Sequence, residues 1–175
     1  MDGVEFVKER PDLMILIDCL TLRVDVDIRP VFIYGRYKKL DRGIPQTRWP
    51  CRACRGRAEG CEACEGTGLQ YPDSVQDLIG EPFRIVLSAE DTSFHGMGRE
   101  DIDVRCLGRG RPFVLEVKRP KVRRTDLEEV MEAVNSNASG KIEISDLRWT
   151  NRSEDRKSTR LNSSHSSVSR MPSSA

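Results

Sequence analysis

The sequence predicts an α+β fold: a mixed, mainly antiparallel sheet with flanking helices and an inserted four-cysteine loop. Three observations predict it. Several short segments alternate apolar and polar residues with the period of two that a half-buried strand requires. Two stretches, near residues 73 and 125, carry the chemistry of helix N-caps. Strands and helices do not alternate regularly, as they would in a doubly wound parallel sheet.

Residues 13–18, LMILID, form a continuous apolar run, expected to be a strand buried on both faces. Residues 21–28, TLRVDVDI, place Leu22, Val24, Val26 and Ile28 on one side and Arg23, Asp25 and Asp27 on the other, a half-buried strand. Pro30 ends it, and residues 31–34 begin another apolar segment. The following stretch, YGRYKKLDRGIPQTRWPC, is basic and punctuated by Gly and Pro, which reads as an extended loop. Asp73 or Ser74 suits the N-cap of a short helix through Ile79, with Pro82 starting a second turn. Residues 101–106 and 113–118 both alternate and are expected to pair through a turn at residues 108–111. Thr125 and Glu128 have capping-box spacing for a helix to about Asn135. After Gly140, the apolar residues Ile142, Ile144 and Leu147 predict a final strand.

The chain has 175 residues, enough for one domain or for one domain and part of another. No apolar run approaches the roughly 18 residues needed to span a bilayer. The opening MDGVEFVKERPD lacks the apolar core of a signal peptide, so a cytoplasmic location is expected. Residues 156–175 are Ser-rich and almost without large apolar groups, a composition that cannot offset the entropy of ordering. This tail is expected to be disordered and non-native, since it looks like translated adapter sequence. Without its four Lys or Arg the chain holds 25 basic and 28 acidic residues, a net charge of −3. Total charge therefore does not mark a nucleic-acid binder, and local clusters must make that case.

Of six cysteines, Cys51, Cys54, Cys61 and Cys64 form two CxxC pairs. In an intracellular chain such pairs favour metal over disulfide. Each turn aims two thiolates at one point, and together they supply the tetrahedral four-sulfur shell that zinc prefers. A structural zinc is expected within residues 51–68, with an iron–sulfur cluster or a metal-free loop as the alternatives. Four thiolates leave no open coordination position, which argues against a catalytic zinc. Cys19 and Cys106 fall in strand-like segments and are expected as small core residues.

Residues 98–120, GREDIDVRCLGRGRPFVLEVKRP, concentrate the remaining chemistry and admit three readings. If residues 101–106 pair with 113–118, Asp103 faces Glu116 and Asp101 faces Lys118. The charged face is then a row of solvated cross-strand ion pairs, each worth under about 1 kcal/mol. Alternatively, Asp103, Glu116 and Lys118 form a D…ExK nuclease centre that holds magnesium between two carboxylates. In the third reading Arg99 holds Asp101 ionised at a loop-to-strand junction loosened by Gly96 and Gly98. A carboxylate held this way acts as nucleophile or base without a cofactor.

The segment HGMGREDIDVRCLGRGRPFVLEVKRP, together with IYGRYKKLDRGIPQTRWPC and YPDSVQDLIGEP, resembles the archaeal tRNA pseudouridine synthase family that modifies the adjacent T-loop uridines, positions 54 and 55. The resemblance covers about residues 10–150. Gly98, Arg99, Glu100 and Asp101 are similar to the glycine-arginine-x-aspartate segment of these enzymes. That implies Asp101 as the essential aspartate, Arg99 as its salt-bridge partner, tRNA as substrate and no organic cofactor. It also implies a partial pseudouridine synthase catalytic domain at residues 29–150, with residues 1–28 as lead-in strands or the end of an RNA-binding accessory domain. The basic stretch then offers Arg36, Lys38, Lys39, Arg42 and Arg48 for phosphate contacts and Tyr37 for stacking, beside Tyr34 and Trp49. A second basic cluster is expected from Arg109, Arg111, Lys118, Arg119, Lys121, Arg123 and Arg124. Strands that the family carries after residue 150 are missing, so this chain alone is expected to have little activity. A magnesium-dependent nuclease and a non-catalytic zinc-stapled RNA-binding module remain the alternatives. No membrane and no obligate protein partner is inferred.

Overall fold

A computed structural model describes residues 10–153. The expected tail therefore lies outside the described residues, as do residues 1–9. Among the described residues six strands and two α-helices follow one another as β1 (Leu13–Asp18), β2 (Arg23–Ile28), β3 (Val31–Lys39), α1 (Val75–Val86), β4 (Asp91–Gly96), β5 (Cys106–Lys118), α2 (Leu127–Asn137) and β6 (Ile142–Thr150). Strands β1 and β2 make a separate antiparallel hairpin, and the other four form an antiparallel sheet ordered β4-β5-β3-β6. The α+β expectation is met.

Strand β3 is central because its inner face can be covered. Val31, Ile33 and Tyr37 are buried, pair with β5 and face the two helices, and from Tyr34 onward buried residues alternate with half-buried ones. Val75, Ile79 and Phe83 of α1 and Val130 and Val134 of α2 complete this core against Phe113, Leu115, Val117, Ile142 and Ile144. Close packing also fixes Gly35. A methyl group there would lie 2.6 Å from Leu147 and 2.7 Å from Phe113, nearer than side-chain atoms approach.

Six local expectations are corrected. Residues 34–39 are strand, not loop, because the alternation of β3 continues through them to Lys39. Helix α1 runs past Ile79 and contains Pro82, capped by Ser74, whose hydroxyl accepts from the Asp77 amide at 3.1 Å. Helix α2 is capped one residue late, by Asp126 accepting from the Glu128 amide at 2.8 Å, rather than by Thr125. Strand β1 is exposed throughout, with Leu16 at 65%, because no layer covers either face of the hairpin among the described residues. Cys19, in the same hairpin, is exposed rather than core, and Cys106 is half-buried.

The sixth correction bears on function. Residues 101–105 are not a strand, and the partner of residues 113–117 on that edge is β4, with Ser93 opposite Glu116 and Asp91 opposite Lys118. The true hairpin is β4–β5. Its connection, residues 97–105, is a long loop carrying Gly98 to Asp103, and it closes over the end of β3.

Candidate active-site loop and metal centre

The loop is held by a polar cluster beneath it. Glu100 turns inward, its side chain only 2% exposed. Its carboxylate accepts from the Tyr37 hydroxyl at 2.8 and 3.0 Å and from the Gln46 amide at 3.4 Å. Arg111 Nε lies 2.8 Å from the same carboxylate as a charge contact without an aligned hydrogen bond. Gln46 Nε2 also donates to the Tyr37 hydroxyl at 2.7 Å and to the Gly98 carbonyl at 2.8 Å. Burial, with the Glu100 charge nearby, pushes the Tyr37 phenol far above its ordinary range, so it remains a donor. Gly98 is required by its φ of +103°, and a Cβ there would also displace the end of the Arg111 side chain.

Replacing Glu100 with Gln keeps an acceptor for Tyr37 but removes the charge facing Arg111. The expected cost is about 1–3 kcal/mol, seen as a lower denaturant midpoint. An unchanged midpoint would show that this clamp holds nothing.

Asp101 follows directly and points the other way. Its side chain is exposed, while its carbonyl accepts from Lys39 Nζ at 2.9 Å and from the Val104 amide at 3.2 Å. Among the described residues no ion pair joins Arg99 to Asp101, and the expected Arg99 salt bridge is not formed. The arginine that clamps a carboxylate in this loop is Arg111, on Glu100. Arg99 is exposed beside Asp101.

The basic residues divide by their surroundings. Tyr37 and Lys39 are fully buried, so neither stacks on a base nor contacts phosphate. Arg36 donates to the Arg109 and Gly110 carbonyls at 2.7 and 2.8 Å, and Lys38 pairs with Glu143 at 3.0 Å. Arg48 lies 2.5 Å from Asp77 yet is 55% exposed, and Arg42 is exposed, bonded to the Asp103 carbonyl at 3.1 Å. Tyr34 sits under the Arg148 guanidinium at 4.2 Å, and Trp49 packs edge-on against Tyr71 at 5.6 Å.

The nuclease constellation is not assembled by strand pairing. Glu116 lies opposite Ser93 and Phe32 and contacts His95 at 3.4 Å, whereas Asp103 belongs to the loop and Lys118 pairs with Asp91 at 3.1 Å.

The four cysteines converge as their spacing predicts. All four sulfurs lie within 4.8 Å of one another, with Cys54 and Cys64 at 3.8 Å. A tetrahedral zinc with Zn–S bonds of about 2.3 Å holds its sulfurs about 3.8 Å apart, so the set fits that ion. Backbone contacts bring the pairs together: Pro50 bridges Leu69, and the Cys51 amide donates to the Gly68 carbonyl at 2.7 Å. The Ala58 amide holds the Cys54 thiol down to about 6, while hydrogen bonding to Cys64 pushes Cys61 up to about 11.

Sequence reasoning missed Glu100, Gln46 and the inward role of Lys39. The sequence marks Gly98 and Asp101, but nothing in it says which of two adjacent acids turns inside.

Residues 32–170 match the family described as Pus10, C-terminal. The chain is 54% identical over 145 residues to the tRNA pseudouridine synthase Pus10 of Methanothermobacter marburgensis, covering 82% of this chain and 36% of that protein. It is 52% identical over 142 residues to the tRNA pseudouridine synthase Pus10 of Methanocaldococcus jannaschii, covering 81% and 30%. The protein of that name from Archaeoglobus fulgidus is 50% identical over 140 residues, covering 80% and 38%. The chain thus spans about a third of the length of the curated relatives it matches.

Proposed function

The chain belongs to the Pus10 C-terminal family, and we propose that it carries the catalytic aspartate of a tRNA pseudouridine synthase acting on the adjacent T-loop uridines. One observation carries the assignment of the residue. Asp101 presents an exposed carboxylate from a backbone that the Glu100 clamp and Lys39 hold on either side.

The target uridine leaves its stack at a cost of a few kcal/mol, so that its glycosidic bond reaches the loop. Asp101 then promotes cleavage of the bond between uracil N1 and ribose C1′, by attack on the sugar or by removing a proton from it. The base turns, a bond forms from C5 to C1′, and the proton lost from C5 is balanced by one gained at N1. The product is an isomer, so the step needs no oxidant, reductant or group donor. Arg42, Arg48 and Arg99, all exposed, are the cations best placed to meet phosphates around the flipped nucleotide. Cys51, Cys54, Cys61 and Cys64 would hold zinc as a structural staple, with no open coordination position for chemistry. A cytoplasmic location goes with a tRNA substrate, and among the described residues no helix is long and apolar enough to cross a membrane.

The full-length protein, incubated with unmodified tRNA transcript and magnesium chelator, is expected to convert T-loop uridine to pseudouridine, read by chemical mapping. Strand scission that a chelator stops would favour the nuclease instead. Tight binding with unchanged uridines would favour the binding module.

A further inference from the structure

Lys39 ends β3 with its side chain fully buried. An ammonium group in that position is costly unless its protons find acceptors. Nζ donates to the carbonyls of Ile44 at 3.1 Å, Asp101 at 2.9 Å and Ile102 at 3.1 Å, which uses all three. Among the described residues it forms no ion pair. A lysine that faces carbonyls of two loops, with no carboxylate at its tip, is placed to hold backbone.

The two loops are joined at the same seam. The Gly43 amide donates to the Ile102 carbonyl at 2.9 Å, and Arg42 reaches the Asp103 carbonyl at 3.1 Å. One residue earlier, Glu100 is clamped by Tyr37, Gln46 and Arg111. The Asp101 side chain faces outward from this anchored stretch, with exposed Arg99 and Asp103 on either side of it.

We propose that Lys39 is a positioning residue for the reaction: by holding the Asp101 and Ile102 carbonyls it fixes the backbone from which the reactive carboxylate projects. This rests on the reading of Asp101 as catalytic. Lys39 touches no substrate. Its effect is geometric, and displacing a reacting group by about an ångström costs about a hundredfold in rate.

The test compares wild type, Lys39→Met, Lys39→Gln and Asp101→Asn in the full-length protein. Single-turnover conversion of unmodified tRNA at saturating enzyme is measured beside tRNA Kd and melting temperature. Lys39→Met is expected to lower the single-turnover rate about a hundredfold, with Kd within about threefold of wild type. Lys39→Gln, which retains two donors, is expected to recover about tenfold of that loss. A Lys39→Met rate within about threefold of wild type overturns the proposal. So does a parallel loss of folding, binding and rate in both lysine variants, which would make Lys39 merely structural. Asp101→Asn separates the two ideas. If it still converts tRNA, the reading of Asp101 has failed; if it is inactive while Lys39→Met is normal, only the positioning role has.

Discussion

Asp101→Asn is expected to stop conversion of T-loop uridine, with the rate falling by at least about a thousandfold, or about 4 kcal/mol of transition-state stabilisation. The substitution is nearly isosteric, and an amide neither attacks the sugar nor takes a proton from it. Its effect should be confined to chemistry. The contacts that hold the loop run through the Asp101 carbonyl, the Glu100 carboxylate and the Gly98 carbonyl, not through the Asp101 side chain. Melting temperature and tRNA affinity should therefore stay close to wild type. Measuring all three together makes the expectation strict. Conversion at the wild-type rate would remove Asp101 from the mechanism, and a collapse of folding would show that its carboxylate has a structural partner. The nuclease alternative predicts the reverse pattern, in which Glu116→Gln matters and Asp101→Asn does not.

The contrast between Glu100 and Asp101 shows where sequence pattern runs out. Two adjacent acids follow the same glycine and arginine, yet one is buried against Tyr37 and the other is exposed. Only the long-range pairing of β3 with β5, which sets Tyr37 opposite Arg111, creates the site that draws Glu100 inward. Alternation misled in both directions for the same reason. Residues 101–105 alternate but find no partner strand, since β4 already occupies the edge of β5. Residues 34–39 look like a basic loop, yet their odd positions face the core, and the burial of Lys39 is affordable only because three carbonyls wait there. Strand β1 shows the opposite failure, because an apolar run states a preference for burial without supplying the covering layer. The cysteine loop was readable because its constraint is local. CxxC spacing sets the ligand geometry within each turn, whatever the rest of the chain does.

That locality shapes the last expectation. Purified protein should carry about one zinc per chain, and replacing Cys51 and Cys54 together with Ser should reduce it to under about a tenth. Residues 51–68 contain no apolar side chain larger than cysteine, so little hydrophobic burial holds them if the metal is removed. What remains is the Pro50–Leu69 bridge, the Cys51–Gly68 hydrogen bond and a few turns, too little to keep so short a segment ordered. The core of β3, β5, α1 and α2 shares no residue with the cluster other than through the chain that enters and leaves it. Metal loss should therefore melt the loop and leave the sheet. Limited trypsin digestion reads this directly, since Arg52 lies within the first cysteine pair and Arg55 and Arg57 lie between the two pairs. Cleavage there should accelerate at least about tenfold in the double variant or after chelation, while amide protection in β3 and β5 stays near wild type. Because thiolates bind the ion and protons compete for them, zinc should also leave as pH falls. A metal-free wild type, or a loop that resists trypsin equally well without its cysteines, would mean that something other than a metal closes this hairpin.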